Sequence, residues 1–271
     1  MSSYRQAWSP RDRRSVGEFA AGLRIAGTFA GGPNGGRTNC SEPAYATGGV
    51  YSLSPYGEAM MRLVLVRHGD AHAGFHGVIA GPRGCRGLTD RGREQAAALR
   101  DYLAVSGRVR ADVLLSSVIP RAIETAEIIA PGLGIETFSR ECDLCEVHTG
   151  EADGLEWAEW GVRYGSFDME AEPDRVFAPE GESWNSFHER VREVLERLAQ
   201  EYDERTVVAV CHGGVIIASV RVLLGISQAG SGARIQPTNT GLTEWEWDPE
   251  PGRWTLHSFN EVSHLLPLAQ R

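Results

Sequence analysis

The chain has 271 residues, 42% hydrophobic and 23% charged, a balance ordinary for a protein that buries a core. Its net charge of −9 argues against non-specific nucleic-acid binding, so any anion site must be built locally, against the global charge. All 27 basic residues are arginine, which excludes Schiff-base chemistry and the lysine of a phosphate-binding P-loop.

Residues 1–60 hold 10 of the 32 glycines, few aliphatics and no clear period. Such a segment buries too little apolar surface to offset its ordering entropy, so it reads as a disordered extension. Met60 or Met61 is the expected start of the compact domain, 61–271. Glu18 and Arg24 interrupt what would be the apolar core of a signal peptide. No run of about 18 apolar residues exists, so no membrane is expected as a partner.

From Met61 the pattern alternates. Leu63-Val64-Leu65-Val66 is a short apolar run, as in a strand buried on both faces. Thr89 caps a helix predicted over 90–105, with Ala96, Leu99 and Leu103 on one face. Val113-Leu114-Leu115 is a second strand, and Pro120 opens a helix to Ala130. The segment 151–183 is acidic and aromatic, without strand period, and is expected to form a small inserted helical cap. Phe187, Val191, Val194, Leu195 and Leu198 recur at helical spacing. Val207 to Val210 is a third strand, followed by Gly213-Gly214 and an apolar helix to Leu224. Leu242 to Trp247 and Trp254 to Phe259 read as a hairpin across Asp248 to Gly252. The fold class is α/β, a three-layer αβα arrangement around a mostly parallel central sheet.

The five cysteines, Cys40, Cys85, Cys142, Cys145 and Cys211, suggest no disulfide framework and fit a reducing, cytoplasmic location. Cys142 and Cys145 form a C-x-x-C pair, but no second pair completes a metal site, so the spacing reads as coincidence.

Two histidines follow two buried strands directly. His68 is followed by Gly69, and His212 by Gly213 and Gly214. Ligands of open α/β sheets bind beyond the carboxyl ends of the strands, so both imidazoles are expected in one crevice. The glycines let backbone N–H groups approach an anion. Arg67 precedes His68, and Arg121 lies in the first turn of the helix after the second strand. Singly, each residue fits a surface ion pair or a core histidine. Together, two histidines and two permanently charged guanidinium groups describe a site for a tetrahedral dianion.

Arg67-His68-Gly69 resembles the signature of the histidine phosphatase superfamily, which has the phosphoglycerate-mutase-like fold. Further segments resemble that family in order: Leu88-Thr89-Asp90-Arg91-Gly92-Arg93-Glu94-Gln95-Ala96, Ser116 to Ala126 around Arg121, Leu144-Cys145-Glu146-Val147-His148-Thr149-Gly150, and Cys211-His212-Gly213-Gly214. The resemblance implies that His68 is a nucleophile carrying a phosphohistidine intermediate. It implies that Arg67, Arg121 and His212, with Gly213, hold the phosphoryl group, and that Glu146 is the acid–base residue. It implies a small-molecule phosphate monoester as substrate, with no metal and no cofactor. The chain departs from the pattern at Asp70, where Glu or Gln is common, at Val118, where proline is common, and at Cys211, where Ser or Thr is common. Asn260 and His264 resemble a C-terminal element of the family and read as structural.

Three functions share these residues: a phosphatase, a mutase that returns the phosphoryl group to a second hydroxyl, and a non-catalytic binding member. Mutases of the family carry Trp-Asn after the first glycine. Here Asp70-Ala71-His72 stands there, which favours hydrolysis. The leaving alcohol and the oligomeric state, a homodimer included, are left open.

Overall fold

The computed structural model describes residues 60–72, 77–226 and 233–269. The expected extension, apart from Met60, lies outside the described residues. A six-stranded mixed sheet runs in the order β3-β2-β4-β1-β5-β6. Its strands are β1 (Met61–Arg67), β2 (Val113–Ser116), β3 (Ser139–Arg140), β4 (Thr206–Cys211), β5 (Leu242–Asp248) and β6 (Arg253–Glu261). The first four are mutually parallel, and β5 and β6 add the antiparallel hairpin anticipated from their alternation.

The apolar runs of β1 and β4 are continuous because both faces are covered. Leu63, Leu65, Val207 and Ala209 pack with Phe187, Val191, Leu195, Val215 and Ile216, from α4 (Trp184–Glu201) and α5 (Gly213–Leu223). Their neighbours Val64, Val66, Val208 and Val210 turn to the other face. There they meet Ala96, Leu99, Ala122 and Ala126 of α1 (Asp90–Ser106) and α2 (Pro120–Ile129). Full burial of each large side chain contributes about 1.5–3 kcal/mol. Among the described residues no helix is long and apolar enough to cross a membrane.

Helix starts follow local chemistry. Thr89 Oγ1 accepts from the Gly92 N–H. Ser183 and Ser186 form a reciprocal capping box ahead of α4. The insertion at 151–183 is less helical than its composition suggested. It holds one helical turn, α3 (Trp157–Trp160), a π turn at Gly161–Gly165, and mostly turns thereafter. Trp160 stacks on Phe177, and both pack with Ile79 and Ala152 in a separate small cluster. Aromatic packing, rather than helical period, orders this segment.

Candidate active site

The register of the central pair sets the site. Arg67 at the end of β1 stands opposite Cys211 at the end of β4, so the next residues, His68 and His212, emerge side by side. The His68 N–H donates to the Cys211 carbonyl at 3.0 Å, and the two rings lie 5.1 Å apart. Gly69 is required by a close approach: a Cβ there would lie 2.6 Å from the Gly92 carbonyl oxygen at the start of α1. The Gly69 N–H donates to Thr125 Oγ1, and Asn239 Nδ2 donates to the His68 carbonyl. The backbone of His68 is thereby held from three sides.

The tautomer of His68 follows from its partners. Nδ1 lies 2.7 Å from the Gly69 carbonyl oxygen, which can only accept, so Nδ1 carries the proton. Nε2 is then a bare lone pair, and Arg121 Nε donates to it at 3.0 Å. Burial pushes His68 well below the usual histidine range. Arg121 pushes it further, the Gly69 bond opposes, and Arg67 adds the least. The ring is buried and neutral, with its free lone pair on Nε2.

Arg121 is itself buried and anchored by Nη1 to the Ala80 carbonyl. Arg67 donates from Nη1 to the Pro237 carbonyl, while its buried Nε has no protein partner. Gly213 lies against that guanidinium, and a Cβ there would only touch Arg67 Nε, at 3.4 Å. His212 is held at Nε2 by Ser117 Oγ, 2.8 Å away, and its buried Nδ1 has no protein partner. Burial and then Arg121 push His212, too, well below the histidine range. Two buried, unpartnered nitrogens beside a neutral imidazole suit a ligand made of oxygen acceptors.

Glu146 completes the group. Its Oε2 accepts from the Gly214 N–H at 3.1 Å, at the start of α5. Gly214 is needed there because a Cβ would collide with Glu146 Oε1. The segment bearing Glu146 is stapled by Arg190 of α4. Arg190 donates to the carbonyls of Asp143, Cys145 and Glu146 and holds both Glu182 oxygens, at 2.6 and 2.8 Å.

All of Arg67, His68, Arg121, Glu146, His212 and Gly213 thus gather at the carboxyl ends of β1, β2 and β4. Sequence reasoning missed Ser117, Arg190 and Asn239, which position them. Ser117 lies within the segment that resembled the family pattern, whereas Arg190 and Asn239 carry no local signal. Val118 is accommodated because Ser117 Oγ accepts from the Ile119 N–H and so shapes the turn before Pro120. Cys211 is fully buried, and burial pushes its thiol far up, which suits packing rather than nucleophilic attack.

Asn260 and His264 explain their place in the pattern. Asn260, at φ +55°, accepts from the Thr238 N–H, and His264 Nε2 lies 2.9 Å from Thr240 Oγ1. Together they pin the segment that carries Asn239 to His68.

His148 is half-buried, with Nδ1 3.6 Å from Glu182. Folding also brings His148 to Cys142 and Cys145, with one donor atom from each within 4.8 Å of the others. The third donor that spacing alone did not reveal is therefore present.

Comparison with known proteins identifies the family. The model of the histidine phosphatase superfamily, branch 1, matches residues 63–262. A protein of Arabidopsis thaliana named metal-independent phosphoserine phosphatase is 30% identical over 75% of this chain and 82% of its own. A glucosyl-3-phosphoglycerate phosphatase of Mycolicibacterium vanbaalenii is 31% identical over 75% of this chain and 96% of its own. The solved phosphoserine phosphatase of Entamoeba histolytica, in complex with 3-phosphoglyceric acid, superposes with a TM-score of 0.62. It is 29% identical, and the match covers 76% of this chain and all of that one (100%). The chain belongs to the histidine phosphatase superfamily, branch 1, and is a phosphoric monoester hydrolase.

Proposed function

We propose that the protein hydrolyses a small phosphate monoester through a phosphohistidine on His68, without a metal ion. The observation that carries this reading is the tautomer of His68. With Nδ1–H committed to the Gly69 carbonyl, the lone pair is on Nε2, beside Arg121, Arg67 and His212. Nε2 attacks phosphorus in line as the P–O bond to the leaving alcohol breaks. The Arg121 N–H that now meets Nε2 turns to an equatorial phosphoryl oxygen. Arg67 Nε, His212 Nδ1 and the N–H groups around Gly213 serve the remaining charge.

Glu146, in its protonated form, gives a proton to the departing alkoxide. As carboxylate it then takes one from the water that cleaves the phosphohistidine, which restores both residues. Its anchor on the Gly214 N–H holds it beside the same crevice. Water is the final acceptor in this reading. The relatives named as phosphatases support it, as does the absence of Trp-Asn after Gly69. The substrate class is a small phosphorylated metabolite of the kind those relatives' names describe, phosphoserine or a sugar-linked phosphoglycerate. The four described cysteines are all free, which suits a reducing, cytoplasmic setting.

Hydrolysis of a chromogenic aryl phosphate in excess EDTA tests this reading. The wild type is expected to turn over in EDTA and His68→Ala to be inactive. No turnover on that ester or on a panel of metabolite phosphates would refute it.

A further inference from the structure

Cys142, Cys145 and His148 lie outside the group assigned to phosphoryl transfer. They sit on the segment that leads into and out of Glu146, in a C-x-x-C-x-x-H spacing. A short 3-10 turn, Cys142–Leu144, folds the first thiol back toward the second. One donor atom from each residue lies within 4.8 Å of the other two. Two sulfurs and an imidazole nitrogen form a soft donor set, the kind that selects Zn²⁺ or a similar thiophilic cation.

The surroundings suit such an ion. Glu182 stands 3.6 Å from His148 Nδ1 and accepts from the His148 backbone N–H, so a carboxylate lies beside the imidazole, where it can take the ring N–H when the other nitrogen binds an ion. Cys142 is exposed, which gives an entry path and a fourth position for solvent. Cys145 is buried, and its Sγ accepts from Ser117 Oγ at 3.2 Å. Ser117 Oγ is also the partner of His212 Nε2, at 2.8 Å.

We propose that Cys142, Cys145 and His148 form a binding site for a thiophilic divalent cation, and that its occupation slows phosphoryl transfer. On binding, two S–H protons leave to solvent and two sulfur–metal bonds form, with no redox change. Ser117 Oγ has a single proton for two acceptors, the weakly accepting Cys145 thiol and His212 Nε2. A metal-bound Cys145 thiolate accepts more strongly and withdraws that proton from His212. His212 then keeps its own proton on Nε2, and Nδ1 has none to offer a phosphoryl oxygen. The ion is inhibitory, not a catalytic cofactor. The inhibitory step rests on the phosphatase reading above; the site itself does not.

Cobalt titration of the reduced, EDTA-treated and desalted full-length protein tests the site, with zinc displacement as its second arm. We expect a thiolate-to-cobalt charge-transfer band that saturates near one equivalent and is displaced by one equivalent of Zn²⁺. Cys142→Ser and His148→Gln should each lose the band. No band, or an unchanged band in Cys142→Ser, would overturn the proposal. In parallel, Zn²⁺ should lower the wild-type aryl phosphatase rate about tenfold or more, the loss expected when one transition-state donor is weakened. It should leave Cys142→Ser unaffected, with the wild-type rate in EDTA. Equal zinc inhibition of both would overturn the coupling to His212. A protein with the band but with no phosphatase activity in EDTA would sink the hydrolase mechanism and leave the metal site standing.

Discussion

Arg121 Nε donates a hydrogen bond to His68 Nε2 at 3.0 Å, so the cation that we propose holds a phosphoryl oxygen also keeps the proposed nucleophilic nitrogen free of a proton. A guanidinium can serve both because it offers several N–H groups in one plane, and Arg121 commits another of them to the Ala80 carbonyl. Arg121→Lys keeps the charge and loses this fork. We expect kcat/KM to fall by about 10²–10³, the loss typical of removing one transition-state donor, with the melting temperature changed far less. Steady-state kinetics with thermal melts checks this. Near-wild-type kcat/KM in the lysine variant would show that charge alone suffices.

The same relationship fixes a protonation state. Burial and the two arginines depress His68, so it loses its proton well below the ordinary histidine range and is neutral throughout the physiological range. Activity that needs neutral His68 is therefore lost only as pH falls through that depressed value, not near 6.5. Nitrogen-15 NMR of labelled histidine at pH 6 should find His68 as the neutral Nδ1–H tautomer. An imidazolium signal for His68 at that pH would contradict the geometry.

Gly214 lies at the start of α5, where alanine would ordinarily stabilise a helix by about 1 kcal/mol. Here a Cβ would collide with Glu146 Oε1. Gly214→Ala should displace the carboxylate and lower kcat by up to about 10², the lower bound of what a general acid contributes. The far-UV circular dichroism should not change. Undiminished kcat would separate Glu146 from proton transfer.

Arg190 links α4 to the backbone of residues 143–146, and its ion pair with Glu182 is largely buried. Arg190→Met should cost up to about 3 kcal/mol in denaturant unfolding, because Glu182 is left without its partner. It should also reduce kcat more than it raises KM, since the loop carrying Glu146 loses its staple. Stability and kcat both at wild-type levels would assign the staple no role.

What could be read from the chain was local. The runs at 63–66 and 207–210 showed strands buried on both faces, and Thr89 announced α1 by its capping chemistry. His68, Arg121 and His212 were legible because each sits in a short motif at a strand or helix end, and Glu146 through the family resemblance of its segment. β3 was not, since Ser139–Arg140 is two exposed residues with no apolar signal. Asn239 was not either: its partner His68 is 171 residues away and only tertiary register brings them together. The third donor beside Cys142 and Cys145 escaped for a related reason, because a spacing rule asks for a second pair, whereas the fold supplies a single histidine. The aromatics of 151–183 signalled packing correctly but not its form, because stacking of Trp160 on Phe177 needs no helical period.

The central claim is a covalent bond between phosphorus and His68 Nε2. Rapid-quench labelling with a radioactive phosphate ester, followed by peptide mapping in alkali, tests it most directly. The account predicts a transient, acid-labile label on the peptide carrying His68 that is missing in His68→Ala. A label that persists in that variant, or that maps to another residue, would contradict it.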